Sequence, residues 1–192
     1  LEGEDSAPKE NDEQIHFNKV TGGRSAFERA ILGRLQKEDP ELKDVITGLE
    51  LRKSKPNLID DEFYRELRKQ LGDNTSKPSR RADVAITKMK DYELKHALLR
   101  RLVYHQSSSS WVTRVAVPEK ATRSFMYNGR RYRLTLRMAI MLLHHDSEMM
   151  GGHPGVRDTI AKVANYFHWP SLENDVTRWC ATCPVCKAAK PS

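Results

Sequence analysis

The chemistry-bearing residues of this chain crowd toward its carboxyl end. His145 and His153 have seven residues between them, His153 and Cys183 have twenty-nine, and Cys183 and Cys186 have two. Zinc takes a tetrahedral set of imidazole nitrogens and thiolates, and a Cys-x-x-Cys turn places two sulfurs on one ion without strain. The Gly151-Gly152-His153-Pro154-Gly155 turn lets the backbone bend enough to aim His153 inward, and Pro154 stiffens that aim. His144 adjoins His145, and Cys180 stands three residues before Cys183. Spacing alone therefore leaves open whether His144 replaces His145 or Cys180 replaces Cys186. The expected metal ligands are His145, His153, Cys183 and Cys186, holding one structural Zn2+.

Other chemistries fit these residues less well. A thioredoxin-like cysteine pair opens a helix after a strand, whereas these cysteines follow a helix and lie beside Pro184. Four protein ligands leave no open position for water, which favours a closed structural site over a hydrolase, and no catalytic residue is assigned. All three cysteines fall between Cys180 and Cys186, without distant partners for a disulfide framework, so a reducing compartment is expected. No apolar run exceeds the six residues Met138 to Leu143, against the roughly 20 of a membrane helix, and the acidic N-terminus lacks a secretory core. An intracellular protein without a membrane partner is the expectation.

The elements that must position the ligands follow from periodicity. Residues 1–24 are polar and acid-rich, too poor in apolar side chains to offset ordering entropy, and read as a disordered acidic tail. Residues 25–90 read as a helical extension and linker. Phe27, Ile31 and Leu35, then Leu42, Val45, Ile46 and Leu49, recur at helical spacing, with Asp39-Pro40-Glu41 starting the second helix. Asp60 is expected to cap a third, which Gly72 stops, and Asn74 to Arg81 reads as linker. Residues 91–134 read as a small antiparallel sheet: Leu98 to His105 and Trp111 to Val117 are strands, and Asn128-Gly129 makes a two-residue hairpin. Residues 135–192 turn helical again. Leu136, Ala139, Ile140 and Leu143 form a stripe ending at the histidines; Val156, Ile160, Val163 and Phe167 form a second, and Leu172, Val176 and Trp179 a third. The expected fold is α+β, with a zinc-stabilised three-helix, helix-turn-helix-like module at the C-terminus.

Charge is distributed unevenly. Residues 1–100 balance 20 basic against 20 acidic side chains, so the net +7 belongs to residues 101–192. Its densest part holds Lys120, Arg123, Arg130, Arg131, Arg133 and Arg137 with no acidic residue among them. These six are candidate nucleic-acid contacts, Arg131 and Arg133 falling on one face of a strand. The plainer reading is a solvated hairpin whose arginines confer solubility. Trp169 and Trp179 lie on apolar faces and read as core rather than base-stacking residues. Asp158 and Thr159 suit helix capping or solvent, and Asp146 or Glu148 could orient an imidazole.

The stretch His145, Asp146, Gly152-His153, Gly155, Thr159, Phe167, Trp169-Pro170, Asp175-Val176, Cys183, Cys186 and Lys190 resembles the His-His-Cys-Cys domain of integrases, above all those of gypsy-like retrotransposons. Arg114 to Glu119 resembles the valine-proline strand that precedes this domain, and Leu35 to Leu42 resembles the linker between a ribonuclease H region and integrase, implying an N-terminal extension domain. The chain departs from the family in one extra residue between the histidines and in Lys187, where glutamine is usual. The resemblance implies a non-catalytic, zinc-binding part of an integrase polyprotein that positions double-stranded DNA at the element's ends and supports multimerisation, alone or with a downstream integrase core. It also implies action in the nucleus as well as the cytoplasm. The alternatives are a protein-interaction or oligomerisation module, and a domesticated zinc DNA-binding regulator without enzymatic activity.

Overall fold

The computed structural model describes residues 29–75, 77–127, 129–147 and 152–189. The expected tail at residues 1–24, Glu148 and Lys190 lie outside them. Helices α1 (Arg29–Glu38), α2 (Pro40–Ser54), α3 (Asp60–Gln70) and α4 (Arg80–Met89) precede strands β1 (Tyr92–Lys95), β2 (Leu98–His105) and β3 (Ser110–Ala116). The hairpin β4 (Thr122–Tyr127) and β5 (Arg130–Thr135) leads into α5 (Leu136–Met141), which continues as a π-helical turn over Leu142–Asp146. Then come α6 (Val156–Ala164), the two-residue strand β6 (Phe167–His168), α7 (Leu172–Thr182) and the short α8 (Pro184–Ala188). The fold is α+β.

Local chemistry sets several boundaries. The Asp39 carboxylate accepts from the amides of Glu41 and Leu42, with Pro40 in the first helical position where its missing N–H costs nothing. Its second oxygen accepts from Glu119 N at 2.9 Å, tying the start of α2 to the chain leaving β3. Asp60 is the first residue of α3 rather than its cap; Ile59 holds that position and makes no side-chain cap bond. Gly72 ends the turn at φ +72°. Part of the expected linker is helical: the Ser79 hydroxyl accepts from Ala82 N and starts α4, whose buried face is made of Ala82 and Ala85.

Strands pair in the order β1-β2-β3-β6, the first two pairings antiparallel and the last parallel, while β4 and β5 form a separate antiparallel ribbon. The parallel contact joins the helical C-terminal region to the sheet. Val115 N donates to Tyr166 O at 2.8 Å and Val117 N to His168 O at 2.9 Å. Phe167, expected on the apolar face of α6, instead belongs to β6, because α6 ends at Ala164 and the chain turns extended to reach β3. The largest core runs through Leu32, Leu98, Val115, Phe125, Ile140, Val163, Phe167, Trp169 and Val176, so α1, the sheet, the hairpin and the C-terminal helices bury their apolar faces together. Gln36 is fully buried beneath the sheet: its amide nitrogen donates to Leu99 O and Ala116 O at 3.0 and 2.7 Å, and its oxygen accepts from Leu99 N at 2.8 Å. Two smaller cores complete the packing, one among α2, α3 and α4 and one between α2 and the outer strands.

Candidate metal centre and basic hairpin

His145 comes off the π-helical turn that ends α5, and both it and His144 are buried. His153 follows in the left-handed region at φ +54° after Gly152 at φ +65°, a conformation that histidine tolerates better than bulkier residues. Its amide donates to His145 O at 2.8 Å, and that bond sets the two imidazoles edge to face with centroids 5.2 Å apart. Cys183 closes α7 in an extended conformation and precedes Pro184, the first residue of α8; Cys186 lies one turn further on. The Cys-x-x-Cys pair thus spans a helix break, and both sulfurs face the histidines. Cys186 Sγ lies 3.3 Å from His145 Nε2, and Cys183 Sγ 3.3 Å from His153 Nδ1.

One ligand atom from each of His145, His153, Cys183 and Cys186 falls within 4.8 Å of the others. The donor set is two imidazoles and two thiols, the chemistry of a closed tetrahedral zinc site. Burial holds the His145 pKa below its ordinary value, and nearby His153 adds to this against an opposing Asp146, so the ring stays neutral with a lone pair to give. Burial, then neighbouring Cys183, pushes the Cys186 thiol up; a divalent cation reverses that preference by binding the thiolate. Asp146 supports the cluster, with one oxygen 3.8 Å from His153 Nδ1 and the other accepting the Trp179 indole N–H at 2.8 Å. Trp169 is also buried, its indole N–H bonded to Asp175 at 2.8 Å.

The structure also separates the neighbours that spacing left open. His144 packs edge to face on Phe167 at 6.1 Å, in the core rather than the cluster. Cys180 lies on the far side of the His145 ring, its Sγ 3.4 Å from Nδ1, and burial raises its thiol pKa. Thr159, assigned to capping or solvent from its place in a helix, is instead fully buried against His145, its Oγ1 3.3 Å from Nδ1.

Residues 134–192 match the integrase zinc binding domain. That domain is non-catalytic. With the four-residue cluster, the match assigns the C-terminal module one structural zinc ion, and the two histidines and two cysteines are the residues brought together that could hold it. The short α8, which carries Cys186, adds a fourth helical piece to the three expected.

The basic residues do not form one strip. Pairing in the β4–β5 ribbon sets Arg123 opposite Leu134, Ser124 opposite Arg133, Phe125 opposite Tyr132 and Tyr127 opposite Arg130. Side chains of opposed residues share a face. Arg131 and Arg133 are exposed on one face, whereas Arg123 shares the other with buried Phe125, and its Nε is buried with no hydrogen-bond partner among the described residues. Arg130 falls on that second face but sits exposed at the tip, and Lys120 is exposed before β4. Arg137 turns inward: its Nη2 donates to Val117 O at 3.5 Å, its guanidinium lies 5.8 Å from the Trp169 ring centroid, and burial lowers its pKa. No helix among the described residues is long and apolar enough to cross a membrane.

Proposed function

We propose that this chain is the non-catalytic, zinc-organised part of a retrotransposon-type integrase polyprotein, positioning double-stranded DNA at the element's ends and supporting multimerisation, with a downstream integrase core as a further partner. The observation that carries the DNA reading is the hairpin. Arg131 and Arg133 stand exposed on one face of a two-stranded ribbon and Arg130 at its tip, while Phe125 and Leu134 on the opposite face pack into the core. A ribbon anchored through one face, with guanidinium groups exposed on the other, suits phosphate contact, and the bound metal fixes the helices behind it.

The test is binding of zinc-loaded full-length chain to a short duplex across a salt series. Each phosphate neutralised contributes about −0.9 to the slope of log affinity against log salt. A duplex lying on the Arg131/Arg133 face loses two contacts in the R131Q/R133Q variant, so the slope flattens by about 1.8. Between roughly 50 and 200 mM salt, wild-type affinity should fall about 12-fold more than that of the variant. A wild-type slope near zero, or one the substitutions leave unchanged, removes the DNA reading. An exposed aromatic pair favours a second reading, a protein-docking module: Tyr104 and Trp111 face each other across β2 and β3 with ring centroids 5.4 Å apart, 49% and 68% exposed. Under that reading, substituting Trp111 shifts oligomer mass while the arginine substitutions leave it unchanged.

A further inference from the structure

The two ring nitrogens of His145 face different surroundings. Nε2 looks into the cluster, 3.3 Å from Cys186 Sγ. Nδ1 looks the other way, 3.3 Å from Thr159 Oγ1 and 3.4 Å from Cys180 Sγ. A neutral imidazole carries its proton on one nitrogen only, and only the bare nitrogen can hold a metal. The position of that proton is therefore decided by what stands against Nδ1, Thr159 with Cys180 beside it.

A threonine hydroxyl has one hydrogen and two lone pairs. The Thr159 oxygen stands 3.0 Å from Gly155 O and 3.3 Å from Pro154 O, two carbonyls of the turn that carries His153. Neither carbonyl can donate, so the hydroxyl hydrogen lies between them and the threonine. Thr159 therefore meets Nδ1 as an acceptor, and Nδ1 must bring the hydrogen. The Cys180 thiol, with Sγ 3.8 Å from Thr159 Oγ1, donates to the remaining lone pair. Every hydrogen and lone pair of this fully buried hydroxyl is then accounted for, and Nε2 is left bare on the side facing Cys186.

We propose that Thr159 is a positioning residue for the metal: by accepting from Nδ1–H it fixes His145 in the tautomer that ligates through Nε2, while Cys180 stays outside the ligand set. The same hydroxyl grips the Pro154 and Gly155 carbonyls, so it couples the orientation of His145 to the turn presenting His153. A metal-bound histidine whose other nitrogen is held in this way binds more tightly, and removing such a partner typically costs 10- to 100-fold in affinity. The inference rests on the zinc assignment.

The experiment uses the full chain, zinc-loaded and labelled with 15N-histidine, with long-range 1H–15N spectra to read the tautomer and a chromophoric chelator in competition to read affinity. Wild type should show His145 with a protonated Nδ1 and a metal-bound Nε2. Thr159→Val keeps the shape and removes the acceptor; it should bind zinc about 10- to 100-fold more weakly, while Thr159→Ser stays within about threefold. Ligation through Nδ1 in the wild type overturns the proposal, as does a folded Thr159→Val that binds zinc within about twofold of wild type. Should Thr159→Val fail to fold, the wild-type spectrum still decides. Metal analysis separates the two levels: wild type that takes up no zinc defeats the zinc assignment itself, whereas zinc held through Nδ1 defeats only the role of Thr159.

Discussion

Phe167 offers the sharpest test of how far the metal and the fold depend on one another. It is 4% exposed, sits in β6 opposite Val115, and packs in the core that links α1, the sheet and the C-terminal helices, yet it is not a ligand. Replacing it with alanine removes most of an aromatic ring from a packed interior, which costs about 3–5 kcal/mol. A structural zinc site is seldom formed before the ion arrives, so its binding free energy is also folding free energy. If that holds here, the whole cost of Phe167→Ala appears in the apparent zinc affinity. At about 1.4 kcal/mol per tenfold, the Kd should rise by roughly two to three and a half orders of magnitude. Phe167→Leu, which keeps most of the volume, should cost under about 1.5 kcal/mol and so stay within roughly tenfold. Chelator competition measures both variants, with thermal unfolding of the zinc-loaded form run alongside. A Phe167→Ala protein whose melting midpoint falls while its zinc affinity holds within about threefold would refute the reasoning, since the ion would then be entering a pocket that is already built.

Two further outcomes are expected. Gln36→Leu leaves Leu99 N, Leu99 O and Ala116 O without the partners the amide supplied, and urea unfolding should show a loss of about 2 to 4 kcal/mol; a loss under about 1 kcal/mol would mean those groups find other partners. The His168 pKa is lowered from 6.5 to about 4 by burial first and then by Arg101, Arg114 and Arg137. Its neutral form is the folded one, so the unfolded chain binds the proton first. Its contribution to stability is complete above about pH 6.5 and is lost as pH falls from there toward 4, by up to about 3 kcal/mol. His168→Gln should flatten that part of the stability-against-pH curve; an unchanged curve would show that His168 does not carry it.

The four clustered residues were legible because metal chemistry restricts residue type and spacing at once, whereas the short helix that Pro184 opens was not. The α2 start was legible too, since Asp39 and Pro40 act on their own neighbours. Thr159 escaped for the opposite reason. In sequence it is a polar residue in the first turns of a helix, and its contact with His145 arises only when α6 crosses behind the histidine turn. Phe167 extended the four-and-three spacing of α6 by one more step, although the helix had already ended; a two-residue strand carries no period of its own. In α4 the buried face is made of alanines, too small to mark a stripe. The arginines looked continuous because charge counts ignore pleat, whereas pairing in β4–β5 sends Arg123 and Arg133 to opposite faces.

The inward turn of Arg137 bears on why the C-terminal helices meet the sheet at this point. Its guanidinium bonds the Val117 carbonyl just after β3 and lies over Trp169 just after β6, so one side chain from α5 reaches the residues that follow both strands of the parallel pair. A phosphate contact would have required it to be exposed; instead it covers the seam where Val117 N meets His168 O. His168 sits in that seam beside Arg137, Arg101 and Arg114, and loses its proton readily there, first because it is buried and then because three cations stand nearby. The positive charge in this region therefore stands in two different settings. On the hairpin it is exposed, whereas at the seam it is partly buried and adds to the burial that keeps His168 neutral, so the two-residue strand packs against β3 without a further charge.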